Sequence, residues 1–280
     1  MIKGFAHRKK FMGISITGRK CWLMCKFCRG FYLKNMLDAH GPKLKLENLY
    51  NRGVRGILLS GGFRKDGTLP IEEYIPILRE FKLAHSEFVI NGHLGLLKDV
   101  NVISELKDIV DVIDYEFNLN QNYLFLRNLA FKPDVYIKSL DRYLDAGLYV
   151  VPHVILDYPS FNEEIMIKEL KSISDRDVDT ITMLVFIPTP STEFKSYKVD
   201  PKKVIKHVEL ARRYFNGEIY LGCMRPLSVK RSLDIYVAKE GIVKRIANPH
   251  HEVSNYVDVK MYDACCSLPE KLLNRFKIEA

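Results

Sequence analysis

A chain of 280 residues with 47% hydrophobic content is long enough for one large domain with a substantial core, and no apolar run reaches the length of a transmembrane helix. Lysine and arginine number 43 against 34 acidic residues, a net charge of +9 that reads as dispersed over a solvated surface. No basic run interleaved with aromatics marks a nucleic-acid stripe, so neither a nucleic-acid nor a membrane partner is expected, while a small acidic carrier domain suits the sign.

Six cysteines are too few for a disulfide scaffold. Arg8, Lys9 and Lys10 stand where a signal peptide would be apolar, so a cytoplasmic location is expected, with metal or redox roles for the thiols.

Apolar, β-branched runs alternate with amphipathic stretches, the pattern of repeated βα units around a parallel sheet. Strands are expected at 14–17, 56–60, 87–91, 112–117, 149–156, 180–187, 218–223 and 242–246, with helices at 71–81, 102–109, 135–146, 162–174 and 201–215. Asp200 and Pro201 make a helix start, a capping residue followed by proline at the first helical position. Gly147 and Gly217 fit chain reversals at helix ends. Seven or eight such units with right-handed crossovers curl into a full or nearly full TIM-type (β/α) barrel, a single domain over 1–280 whose working face is the C-terminal edge of the strands. Residues 247–280 are expected to form a tail folding over that mouth.

After the first expected strand come Cys21, Cys25 and Cys28, a C-x3-C-x2-C run. Three such thiols can hold three corners of an iron–sulfur cube and leave the fourth iron open to chelate a small molecule. A zinc site one ligand short and inert buried cysteines are the plainer readings. Zinc, however, favours spaced cysteine pairs and closes at four ligands, and no C-x2-C partner or H-x3-H follows.

The second expected strand ends in Ser60, Gly61 and Gly62, where glycine lets backbone approach a ligand closely and strand-edge carbonyls can accept from an ammonium group. An ordinary strand-to-loop turn would look the same. The polar end of the fourth strand, 114–121, suggests a polar ligand at the mouth. Prolines fix the loops of the fifth and sixth strands, and His153 reads as a packed, hydrogen-bonded histidine rather than a ligand. Cys223, Cys265 and Cys266 are candidates for a second cluster, or buried inert thiols. Arg225 is a candidate to bind a substrate carboxylate or carbonyl, the alternative being a surface ion pair.

The run with Phe27 before its last cysteine resembles the signature of the radical S-adenosylmethionine (SAM) superfamily. That resemblance implies a barrel with a [4Fe–4S] cluster on Cys21, Cys25 and Cys28, whose open iron chelates SAM. The cluster then cleaves SAM to methionine and a 5′-deoxyadenosyl radical that abstracts hydrogen from an unactivated carbon. Ser60, Gly61 and Gly62 resemble the family segment that holds the SAM amino group, with Phe63 where a Glu is usual. Asn118 and Leu119 match an Asn-Leu-Asp of biotin synthases that contacts SAM ribose or substrate, with Asn120 replacing the Asp. The stretch 188–192 is similar to a P-x-P-G-T-P segment bordering SAM, which brings Pro188 to the cofactor, with Ser191 in place of Gly.

These strand ends, the 222–226 segment and the paired cysteines together resemble the archaeal biotin-synthase homologues that act in pairs as a two-component lipoyl synthase. The implied reaction is sulfur insertion at C6 or C8 of an octanoyl chain on a lipoyl carrier protein, with an auxiliary [4Fe–4S] cluster on Cys223, Cys265 and Cys266 as sulfur donor. The implied partners are that carrier, a second radical SAM subunit and a low-potential electron donor such as ferredoxin. Biotin formation, a carbon-skeleton rearrangement, and a non-catalytic iron–sulfur or zinc protein stay open, since a shared fold does not settle a substrate.

Overall fold

The computed structural model describes residues 1–278. Eleven parallel strands form one sheet: β1 (Ile2–Phe5), β2 (Phe11–Ser15), β3 (Leu37–Asp38), β4 (Gly56–Ser60), β5 (Val89–Gly92), β6 (Val112–Glu116), β7 (Val150–Leu156), β8 (Thr180–Val185), β9 (Glu218–Leu221), β10 (Arg245–Ala247) and β11 (Val259–Tyr262). Their order is β11-β1-β10-β9-β8-β7-β6-β5-β4-β2-β3. Parallel neighbours need crossovers, and helices supply most of them. In chain order these are α1 (Leu46–Asn51), α2 (Ile75–Ala84), α3 (Val100–Leu106), α4 (Gln121–Leu126), α5 (Asp134–Asp145), α6 (Glu163–Ser174), α7 (Pro201–Tyr214) and α8 (Leu227–Lys239), with α9 (Glu270–Leu273) in the tail. The architecture is a partial TIM-type barrel with β3 and β11 at the two ends of the sheet.

All eight expected strands are present, as β2 and β4 to β10, although β2 begins at Phe11, earlier than the expected 14. The three unexpected strands, β1, β3 and β11, have four, two and four residues, too few for alternation to register in a sequence. The side chains of Asp99, Asn120, Asn162 and Asp200 cap α3, α4, α6 and α7 by accepting a backbone N–H of the first turn, each worth about 1 kcal/mol. Gly147 takes the left-handed conformation expected after a helix (φ 73°). Gly217 does not: a Cβ there would lie 2.3 Å from the Asp179 carbonyl oxygen, so its small size serves a close approach.

Alternation sorts the sheet into two faces. On β6, Ile113 and Tyr115 face the helices, the Tyr115 hydroxyl donating to the Tyr136 carbonyl on α5, whereas Asp114 faces the barrel interior, where Asn91, His153 and Cys265 meet it. The large core lies between sheet and helices; a second, smaller one gathers Phe5, Phe11, Val89, Val112, Val151 and Phe276.

That second core corrects the expectation for the tail. Residues 263–276 do not cap the mouth; they pack against the first residues of β2, β4, β5 and β6. A Cβ at Gly56 would meet Phe11 and Phe276, and the Phe11 and Phe276 rings lie 5.7 Å apart. Asp263 anchors the turn, its carboxylate accepting the backbone N–H groups of Arg8, Lys9 and Lys10 at 2.6–2.7 Å. An apolar barrel bottom left open would expose Phe11 and the valines that start β5 to β7, and burying them fixes where the tail goes.

Candidate functional site

The segment after β2 carries Cys21, Cys25 and Cys28, and neighbouring strands hold it at several points. The Phe63 carbonyl accepts from the N–H groups of Trp22 (3.0 Å) and Leu23 (2.9 Å). Thr17 Oγ1 accepts from the Gly62 N–H (2.6 Å) and donates to the Lys20 carbonyl (2.9 Å). The Asn128 side-chain amide donates to the carbonyls of Leu23 and Met24, and Lys26 N–H donates to the Leu126 carbonyl. Met24 and Arg29 sit at φ of 47° and 46°, strained values for non-glycine residues that such a set of contacts can hold. Phe27 is buried against the rings of Tyr123 and Phe186, each 5.8 Å away, so it acts as the anchor of the loop. Tyr32, just beyond Cys28, hydrogen-bonds Thr189 at 2.6 Å and so ties the Pro188 loop after β8 to the cysteine segment.

Gly62 packs directly on the cysteine loop. A Cβ there would lie 1.9 Å from the Lys20 carbonyl oxygen and 2.5 Å from Cys21 Cα, so the backbone it admits is that of the cysteine loop itself. Ser60 hydrogen-bonds His93 Nδ1 (3.1 Å), and Gly61 packs against Thr17 and Leu69.

Cys25 and Cys28 share a proton: donation to Cys28, and then burial, hold the Cys25 thiol well above its ordinary range, while the Cys28 thiol, the acceptor, is lowered. Arg127 is buried close by, paired with Glu116. Burial opposes its charge, but Tyr136, Cys25 and Cys28 outweigh that and keep it protonated. A fixed cation beside thiols favours their thiolate form, the form that binds iron.

Of the second trio, Cys265 Sγ lies 3.6 Å from Asp114 Oδ2 and 3.3 Å from Ser267 Oγ, and burial, with the charge of Cys265, pushes the Cys223 thiol up to about 11. A hydrogen bond from Cys266 lowers the Cys265 thiol to about 5, and the donor rises accordingly. Cys223 is solvent-accessible although protein surrounds it on most sides, as in an open barrel interior.

Around these thiols the wall is polar. Asn91 Nδ2 donates to Asp114 Oδ2 (3.0 Å) and His153 Nε2 stands 3.5 Å from Asp114 Oδ1. Burial would raise the Asp114 carboxyl, but His153 and the hydrogen bonds pull it down to about 2 and lift His153, so the pair is ionic. His93, buried and beside that cation, is lowered to about 4 and stays neutral. Asn91 Oδ1 and Thr182 Oγ1 are buried without a hydrogen-bond partner, and Asp114 Oδ1 and His153 Nε2 meet only one another. Unpaired buried polar atoms are costly, and a cluster of them around an open interior fits a polar or metal-bound guest.

Neither thiol trio is gathered as tightly as a single ion requires. Among the described residues, the one set of three His, Cys, Asp or Glu ligand atoms within 4.8 Å of one another is His250, His251 and Glu252, where Arg231 already holds Glu252 by two bonds of 2.7 Å. A single tetrahedral zinc needs each sulfur about 2.3 Å from the metal, a tighter gathering than either trio shows.

Two candidates are corrected. The Arg225 guanidinium is buried, paired with Asp234 at 2.9 Å and donating to the carbonyls of Gly222, Ala247 and Asn248, so it holds the loop after β9 as part of a buried ion pair. Asn118 is also fully buried, its amide oxygen accepting from Asn120 N–H (2.8 Å) and its amide nitrogen donating to Tyr158. It shapes the turn into α4. The charge is not dispersed either: the first 37 residues carry nine basic residues and no acidic one, which equals the whole net excess. Arg19, Lys20, Lys26, Arg29 and Lys34 are exposed on the cysteine segment beside the exposed Trp22 and Met24. Asn91, His93, Thr17, Arg127 and Asn128 are site neighbours that the sequence reading misses, a polar residue in or just after an apolar strand being the available signal for the first two, whereas Asp114 opens the polar stretch 114–121.

No family description matches the sequence, and no curated protein matches it. Solved structures do match in fold. Methylornithine synthase (PylB) aligns at 14% identity with a TM-score of 0.59 over 88% of this chain and 72% of that one. HydG, a maturase of the [FeFe]-hydrogenase, aligns at 14% identity and a TM-score of 0.60 over 88% and 57% of the two chains. Streptococcus suis SuiB bound to S-adenosylmethionine aligns at 15% identity and 0.56 over 85% and 57%. The chain thus spans between 57% and 72% of the length of these proteins. No helix among the described residues is long and apolar enough to cross a membrane.

Proposed function

We propose that the chain is a radical SAM enzyme whose Cys21, Cys25 and Cys28 hold a [4Fe–4S] cluster, and that it inserts sulfur into a protein-bound octanoyl chain as a lipoyl synthase subunit. The observation that carries the first part is the braced three-cysteine loop on a partial barrel whose fold is shared with a protein crystallised with S-adenosylmethionine. When bound, cluster and SAM together supply one-electron chemistry able to break an unactivated C–H bond.

This chain's own residues do the rest. Thr17, Phe63 and Asn128 fix the loop, Arg127 favours the thiolates, and Ser60 to Gly62 with the Pro188 loop border the space above them. For sulfur insertion the support is a second set of thiols, Cys223 in the loop after β9 and Cys265 and Cys266 in the tail, of which Cys265 reaches Asp114 in the interior. A donor held there would meet a carbon radical before solvent does.

A specific observation favours a second reading. An octanoyl chain suits an apolar pocket, but the wall built by Asn91, His93, Asp114 and His153 is polar, which favours a substrate with a charged or amide end and keeps a carbon-skeleton rearrangement in play. The test is anaerobic reconstitution followed by incubation with SAM, reductant and an octanoylated carrier peptide, with and without a homologous second subunit. Release of deoxyadenosine with a peptide mass gain of one sulfur supports the full reading; deoxyadenosine alone leaves the radical chemistry and removes the substrate. No deoxyadenosine from a protein that has taken up iron removes both.

A further inference from the structure

Along the cysteine segment, burial alternates. Leu23, Cys25 and Phe27 are buried, whereas Trp22, Met24 and Lys26 are exposed. Trp22 is 38% and Met24 47% exposed, and Phe125, 54% exposed, stands at the end of α4. That end is held against the segment by the bond from Lys26 N–H to the Leu126 carbonyl and by those from Asn128 to the Leu23 and Met24 carbonyls. Large apolar side chains grouped in solvent mark a surface that another molecule covers. The charge around them selects the partner. Arg19, Lys20, Lys26, Arg29 and Lys34 are exposed, and among the described residues none of them forms an ion pair. Exposed lysines elsewhere do: Lys43 with Asp38, Lys138 with Asp134, Lys206 with Glu163 and Lys244 with Glu218. The Lys20 ammonium instead lies 4.6 Å over the Trp22 ring and the Lys34 ammonium 3.5 Å over the Phe31 ring, so cations and apolar groups share one surface. The adjoining stretch 118–133 adds no carboxylate. A second copy of the chain would bring the same positive face and be repelled.

Resting on the reading that Cys21, Cys25 and Cys28 hold a [4Fe–4S] cluster, we infer that the surface of Trp22, Met24 and Phe125, ringed by these unpaired cations, is where an acidic one-electron carrier protein docks to reduce that cluster. Position decides among negatively charged partners. Trp22 and Met24 neighbour Cys21 and Cys25 in the chain, so a protein covering them stands one residue from two of the thiols. An electron carrier profits from that nearness, whereas a lipid headgroup or a nucleic acid gains nothing from it. In the step itself the carrier is oxidised by one electron and the cluster is reduced by one, and no bond forms or breaks. Charge steers the encounter and apolar contact holds the complex, so the lysines and the apolar side chains have separable effects.

The probe is a plant-type [2Fe–2S] ferredoxin, an acidic low-potential carrier, reduced beforehand and mixed anaerobically with the reconstituted full chain; dithionite alone is the reference reductant. At low ionic strength K20E/K26E should slow reduction by ferredoxin about tenfold or more. W22A/M24S should raise the ferredoxin concentration for half-maximal rate by about tenfold and leave the salt dependence as it is. With dithionite both variants should match wild type. K138E/K244E makes the same change in net charge at ion-paired lysines elsewhere and should slow ferredoxin by at most about twofold. If ferredoxin reduces K20E/K26E and W22A/M24S as fast as wild type, or if K138E/K244E is slowed as much as K20E/K26E, this surface is not the dock. The inference is also overturned if K20E/K26E loses binding to phosphatidylserine vesicles or to single-stranded RNA while its reduction by ferredoxin is unchanged. A wild-type protein that takes up no iron, or that with dithionite makes no deoxyadenosine from SAM, would remove the cluster reading and the inference with it.

Discussion

Replacing Gly62 with alanine tests whether the cysteine loop is positioned by direct packing on the end of β4. The new Cβ would stand 1.9 Å from the Lys20 carbonyl oxygen, 2.7 Å from its carbon and 2.5 Å from Cys21 Cα, where ordinary contact begins at 3.4 Å. All three are backbone atoms, so no side-chain rotation relieves the clash, and the 20–21 segment must retreat by roughly 1.5 Å, enough at a reacting centre to cost two orders of magnitude in rate. The retreat also stretches the Thr17 bonds to Gly62 N–H and the Lys20 carbonyl. Overpacking of this kind costs about 1–3 kcal/mol, which for a chain of this size lowers the melting temperature by roughly 2–10 °C. Gly13→Ala on β2 is the control, because its Cβ would meet only the Met36 side chain, at an ordinary 3.6 Å. Iron uptake, SAM cleavage and the thermal midpoint should fall sharply in G62A and only slightly in G13A. A G62A protein with wild-type iron, cleavage rate and melting temperature would refute the packing argument.

Four further outcomes follow from the same geometry. Thr17→Val removes the acceptor for Gly62 N–H and the donor to the Lys20 carbonyl, and should cost about 2 kcal/mol in denaturant unfolding together with reduced iron retention; unchanged retention would show that Thr17 does not brace the loop. Asp234→Ala leaves Arg225 buried and unpaired, at about 3–5 kcal/mol, whereas the double change R225M/D234L should recover most of that; equal stability of D234A and wild type would restore Arg225 to the list of substrate residues. Glu169, buried behind the 118–120 turn and accepting from Leu119 N–H, is raised by desolvation to about 8. Folding therefore takes up a proton between about pH 4.5 and 8, stability falls as pH rises through that window, and E169Q should match wild type near pH 4 yet be more stable at pH 9 by up to about 5 kcal/mol; parallel pH curves would contradict this. Reduction by an acidic donor protein should slow as ionic strength rises, less so in K20E/K26E, while dithionite reduction should stay flat; a protein-donor rate insensitive to salt would exclude steering by the basic segment.

The eight main strands and the cysteine segment were legible because each is a local pattern, a β-branched run or a spacing of thiols. The site between them was not, because its members are scattered: Thr17, Gly62 and Asn128 meet only through contacts made across the fold. Asn91, His93, Asp114 and His153 come from β5, β6 and β7 or their edges, and each alone looks like one polar residue in an apolar run. Curling the sheet makes them a wall. Arg225 failed for the opposite reason: the residue type fits substrate binding, and only its burial against Asp234 reveals a structural pair. Helix α8 escaped because its buried stripe of Val229, Leu233 and Val237 is narrow and includes the charged Asp234.

Whole-chain charge concealed the most useful feature, since an average cannot distinguish an even excess from a neutral body carrying a basic segment. Here the body beyond residue 37 is balanced and the excess lies wholly ahead of it, on β1, the turn into β2 and the cysteine segment. On the proposed reading, in which the cysteine loop takes electrons from another protein, two demands conflict: its thiols must be fixed, yet close to a surface the partner can reach. Anchoring by Phe63, Thr17 and Asn128 from below meets the first, because those bonds use the inner side of the segment. The outer side is then free to expose Trp22 and Met24 among Lys20, Lys26 and Arg29, a surface that offers apolar contact and attracts negative charge at long range. Placing the acidic residues elsewhere costs little stability, because exposed ion pairs are worth only about 0–1 kcal/mol each, so an unpaired basic face is cheap to maintain.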